Sequence, residues 1–85
     1  MEQATTTTTA TTATRMQEAI YTEYDSMART ARKFGNVSEW AHDFRQRSIG
    51  IVTAAIYMDV TAEERNKLYE LVDRLWNRFD QDAKY

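Results

Sequence analysis

The sequence predicts an all-α fold, an up-down-up bundle of three helices open to completion by dimerisation. Three observations carry that expectation. Proline is absent and Gly35 and Gly50 are the only glycines in 85 residues, a composition that suits long helices and leaves little material for tight turns. From Met16 onward, apolar residues recur at intervals of three and four, the mark of one helix face. Helix-capping signals fall around Gly35 and Thr61 and divide the chain into three segments of similar length.

Residues 1–14 read MEQATTTTTATTAT. Threonine is β-branched, forms helix poorly and brings no large apolar surface to offset the entropy of ordering, so this stretch is expected to be a disordered tail ahead of a helical domain over 15–85. The first helix is expected over about 15–34, where Ile20, Tyr24, Met27, Ala31 and Phe34 share one side and Tyr21 and Ala28 widen it. Arg29, Arg32 and Lys33 bring positive charge to the negative end of its dipole, and Gly35 stands where a left-handed C-terminal cap is wanted.

The second helix is expected over about 38–58. Asn36 or Ser38 caps it, and Glu39, three residues after Asn36, fits a capping box. Trp40, Phe44, Ile51, Ala55 and Met58 share one side, with Ile49, Val52 and Ile56 as a neighbouring stripe. Its second half, SIGIVTAAIYM, is apolar almost all round, which predicts burial on more than one side. Gly50 and Ala54, one turn apart, would admit a close helix backbone from within the chain or from a second copy.

Thr61-Ala62-Glu63-Glu64 opens a third helix, about 62–82, with a capping box. Leu68, Leu71, Val72, Leu75 and Phe79 form its stripe, flanked by Tyr69 and Trp76, and Glu63–Lys67 and Glu70–Arg74 are spaced for ion pairs on its outer side. Helices of this size are about 30 Å long, and short connections make successive ones antiparallel.

Composition narrows the function. Without cysteine there is no disulfide, thiolate metal site or thiol nucleophile. A net charge of −2 gives no general drive toward nucleic acid or an anionic membrane. No signal peptide is visible, and the longest apolar run, Ile49 to Met58, is too short to span a bilayer, so a cytoplasmic protein with no membrane role is expected. His42 is the only histidine. Ser38 and Ser48 lie near it in sequence, but no nucleophile-presenting turn or oxyanion loop accompanies them. Glu39-x-x-His42 is half of a di-iron carboxylate pattern, yet Glu18 and Glu23, the other candidate ligands, belong nearer the opposite end of the first helix. No enzyme, no cofactor and no metal are therefore expected.

Two surfaces remain as candidates. The width of the apolar stripes on the second and third helices predicts a protein-interaction module that pairs with itself through Ile49, Val52, Ile56, Tyr57, Tyr69 and Trp76. Compact chains without a reactive site are also what phages and plasmids use as inhibitors or accessory factors on larger assemblies, an analogy of size and not of motif. The other surface is a basic pole of Arg29, Arg32, Lys33, Arg45, Arg47, Arg74 and Arg78, suited to phosphate or an acidic protein. With Ala31-x-x-x-Gly35 read as a degenerate helix-turn-helix, that pole supports the alternative of a DNA-binding regulator.

Overall fold

A computed structural model describes residues 11–83. Three helices account for nearly all of them: α1 (Thr12–Phe34), α2 (Val37–Ala54), which tightens into a 3-10 turn at Ala55–Tyr57, and α3 (Ala62–Ala83). Each packs on both others, and among the described residues there is no strand. The expected three-helix bundle is what forms.

α1 begins earlier than the threonine-rich composition implied. Thr11 is its N-cap, accepting a hydrogen bond on Oγ1 from the Thr14 N–H at 3.1 Å, so residues 12–14, expected in the tail, belong to the helix. A threonine that disfavours a helix interior is well suited to its cap, where the hydroxyl satisfies a free N–H. The expected disorder of residues 1–10 lies outside the described residues.

The α1–α2 turn uses two residues with positive φ. Gly35 donates its N–H to Ala31 O at 2.8 Å, with φ 84° and ψ −157°. That backbone region is essentially restricted to glycine, and it is not the left-handed helical cap that the sequence suggested. Asn36 takes the left-handed conformation instead, at φ 58° and ψ 45°, and makes no side-chain cap bond. The capping box expected from Asn36 and Glu39 therefore does not form. At α3 the corresponding expectation holds: the Glu64 N–H donates to Thr61 Oγ1 and the Thr61 N–H to Glu64 Oε1, each at 3.0 Å.

The core is a column of Met16, Ile20, Tyr24, Met27, Ala28 and Ala31 from α1, Ala41, Phe44, Val52 and Ala55 from α2 and its 3-10 turn, and Leu68, Leu71, Val72, Leu75, Phe79 and Ala83 from α3. One aromatic ring per helix meets at its centre. Tyr24 stands edge-on to Phe44 and Phe79 at 5.2 and 5.6 Å between centroids, and Phe44 and Phe79 lie 6.2 Å apart. Such contacts add about 0.5–1.5 kcal/mol each beyond area burial. The Tyr24 hydroxyl also donates to the Asp82 carboxylate, and Arg32 Nη1 donates to Asp82 O at 2.7 Å, which fastens the end of α3 to α1.

Two expectations about the core are corrected. The buried face of α2 runs through Ala41, Phe44, Ser48 and Val52 and ends at Ala55, not through Ile51 and Met58. The helix is rotated so that its buried face includes small residues, Ala41, Ala55 and a serine, Ser48. Phe34 follows the periodicity of α1 but lies beyond the last core layer and is exposed.

Candidate functional site

The second half of α2 was expected to be buried on several sides, and within this chain it is not. Ile56 is 57 % exposed, Tyr57 87 % and Met58 52 %. The reason is the level at which they stand. The core ends at Ala55 on this side of the bundle, and the helices nearby offer nothing apolar of any size. α1 runs Thr12-Ala13-Thr14-Arg15 before its first buried residue, Met16, and α3 runs Ala62-Glu-Glu-Arg-Asn-Lys67 before Leu68. Three consecutive large apolar residues thus project at an otherwise polar end.

Ile56 continues a ladder along the outer seam between α2 and α3. Ile49, Thr53 and Ile56 follow one another at helical spacing on the flank of α2 that faces α3. Thr53 Oγ1 and the Tyr69 hydroxyl are 3.3 Å apart, and the Arg45 guanidinium lies 5.0 Å above the Trp76 ring. Ile49 and Tyr69 are half-buried against the core, while Trp76 is 38 % exposed. Of the six residues expected to mediate self-association, the structure brings Ile49, Ile56, Tyr69 and Trp76 onto this seam, with Tyr57 at its lower end. Val52 is the exception. It is wholly buried in the chain's own core and is not available to a partner.

The residues of the expected basic pole meet different partners, and three of the seven are paired with carboxylates. Arg29 pairs with Asp25, Arg47 with Asp43 at 3.3 Å and Glu23 at 3.8 Å, and Arg78 with Asp82 at 3.8 Å. Arg32 is engaged with the Asp82 backbone, Lys33 lies over the Phe34 ring at 5.5 Å, and Arg45 is stacked on Trp76. Arg74 lines a groove of about 410 Å3 between α1 and α3, with Gln17, Tyr21 and Glu70, and does not join the others at the turn. A carboxylate stands beside three of these seven cations, Arg29, Arg47 and Arg78, so the charge grouped along the chain is partly neutralised in space.

His42 is exposed on a shallow surface with Ser38, Glu39, Asp43 and Gln46 on one side and Trp76, Asn77 and Asp80 on the other. Among the described residues no three His, Asp or Glu side chains are grouped to hold a metal ion. Ser48, the other serine considered, has no exposed surface. The Tyr24 phenol is pushed far above its usual range by burial, then by the hydrogen bond to Asp82 and that carboxylate's charge. A phenol so held keeps its proton, which makes Tyr24 a structural tie.

Two buried polar groups were not foreseen: among the described residues, the Ser48 hydroxyl and Arg45 Nε have no hydrogen-bond partner. The spacing of Ala41, Phe44, Ser48, Val52 and Ala55 was the available signal, masked because Ile51, Ile56 and Met58 carry more hydropathy. No helix among the described residues is long and apolar enough to cross a membrane. No protein-family model, no curated protein and no solved structure matches this chain.

Proposed function

We propose that the protein is a non-enzymatic interaction module that works by presenting the α2–α3 seam to another protein, as an accessory or inhibitory subunit does. The observation that supports this reading is the run Ile56-Tyr57-Met58, exposed at a polar end of the bundle and continuous with Ile49, Tyr69 and Trp76. Single exposed apolar residues are ordinary, but a contiguous apolar patch rimmed by polar residues marks an interaction surface. Aromatic residues at its two ends, Tyr57 and Trp76, are the type that dominates binding energy.

The test is affinity capture with tagged wild-type protein and a tagged Ile56→Asp variant, each offered untagged copies of the same chain and an extract of the encoding organism. Stoichiometric retention of a defined protein by the wild type, lost in the variant, is the expected result. Capture of nothing, or of the same set by both, overturns the reading. The basic residues support no second reading of equal weight, because carboxylates lie against Arg29, Arg47 and Arg78, while Arg32 is held by a backbone carbonyl and Lys33 and Arg45 by aromatic rings.

A further inference from the structure

We infer that the protein seated on the α2–α3 seam is a second copy of this chain, related by a two-fold axis through the middle of the seam. This rests on the interaction reading above and names its partner. Area is the first support. Aromatic side chains offer about 150–250 Å2 each, so the exposed fractions of Tyr57, Trp76 and Ile56 amount to roughly 400 Å2 before the half-buried Ile49 and Tyr69 are counted. A standard interface takes about 800 Å2 from each partner, and homodimer interfaces are about 65 % apolar, which sets the need near 500 Å2. The seam supplies about that amount and no large excess, so the dimer expected is one of micromolar strength.

Self-complementarity is the second support. The ladder has unlike ends: Arg45 over Trp76 at one, and Ile56, Tyr57 and the exposed Asp59 at the other, about 16 Å apart along the helix. A two-fold axis at the level of Ile49 and Thr53 brings each end against its opposite in the other copy. Tyr57 and Ile56 then meet Trp76, and Asp59 approaches Arg45. Apolar surface meets apolar surface and carboxylate meets guanidinium, twice over. An isologous contact of this kind closes, so it gives a dimer and not a filament.

Sedimentation equilibrium across the micromolar range tests this on the full chain, with Ile56→Asp and Tyr57→Asp beside the wild type. The wild type is expected at twice the 10.0 kDa of one chain, and each variant to weaken pairing by about 30-fold or more, the effect of losing one interface hot spot. Helix content by circular dichroism should be unchanged, and Tyr57, which is almost fully exposed, keeps the test sound even if Ile56→Asp unfolds. A wild type that stays at 10.0 kDa at about 100 micromolar, far above a micromolar Kd, overturns the inference. So does a dimer indifferent to both variants, which would lie elsewhere on the surface. A monomer that still captures a host protein through the seam rejects self-pairing and keeps the interaction reading, while one that captures nothing rejects both.

Discussion

Replacing Ser48 with alanine should make this protein more stable. Ser48 lies on the buried face of α2, one turn from Phe44 and one turn from Val52, with no exposed surface and no partner for its hydroxyl. Burying a hydroxyl without a hydrogen bond costs about 1–3 kcal/mol on protein-derived scales, and alanine is the better helix former by up to about 0.5 kcal/mol. Against this stands the loss of one oxygen's packing, a small deficit because Ser and Ala differ by a single heavy atom. The net expectation is a gain of about 1–2 kcal/mol, or about 4–8 °C in Tm per kcal/mol for a domain of this size. Urea unfolding followed by circular dichroism measures it, with Thr30→Ala as the control. Thr30 donates to Ser26 O at 2.9 Å on a more open surface, so its replacement reports propensity without burial. A Ser48→Ala protein no more stable than wild type would refute the reasoning and mean that the hydroxyl is satisfied, for instance by a carbonyl of the preceding turn.

Tyr24 should make stability fall at high pH. Its phenol is raised above the ordinary value of about 10, so its contribution is complete below that pH and is lost at roughly 1.4 kcal/mol per unit above it, until the folded form ionises. Thermal unfolding from about pH 9 to pH 11, where an ordinary tyrosine titrates, should show this slope in the wild type and not in Tyr24→Phe; equal slopes would remove Tyr24 as the cause. Gly50 lies inside α2 on the surface, and a Cβ placed there meets nothing within 4 Å. Gly50→Ala should therefore stabilise the helix by about 0.5–1 kcal/mol and leave pairing unchanged, since Gly50 is off the seam. A weakened dimer would move the interface to the Gly50 side.

What could be read from the sequence depended on how each helix marks its buried face. In α3 the face is Leu68, Leu71, Val72, Leu75 and Phe79, all large and apolar at one spacing, and both the stripe and its Thr61–Glu64 cap were legible. In α2 the buried face includes the small Ala41 and Ser48, while Ile56 and Met58 are exposed and Ile49 and Ile51 only half-buried, so hydropathy points to the wrong rotation. Ile56 and Tyr57 were legible as excess apolar surface, but Val52 was grouped with them for the same reason. Tyr24 and Asp82 are 58 residues apart, and no local pattern relates them. Among the basic residues, the pairs of Arg29, Arg47 and Arg78 with Asp25, Asp43 and Asp82 are spaced i,i+4 and readable along the chain, whereas only packing shows that Glu23 reaches Arg47.

The placement of Ile56 and Tyr57 also decides how cleanly function can be separated from folding. Residues whose apolar character serves the core are coupled to stability, and their substitution confounds any binding assay. Here the core ends at Ala55 and the neighbouring turns of α1 and α3 are polar. Tyr57 consequently contributes little to the monomer, and an aspartate at that position should leave unfolding within about 0.5 kcal/mol of wild type, the range of ordinary surface changes. An apolar run that the fold does not need, at an end where water would be better met by polar side chains, calls for a partner to account for it. If Tyr57→Asp proved as destabilising as a core substitution, that separation would fail, and the exposed run would have to be explained by folding instead of by binding.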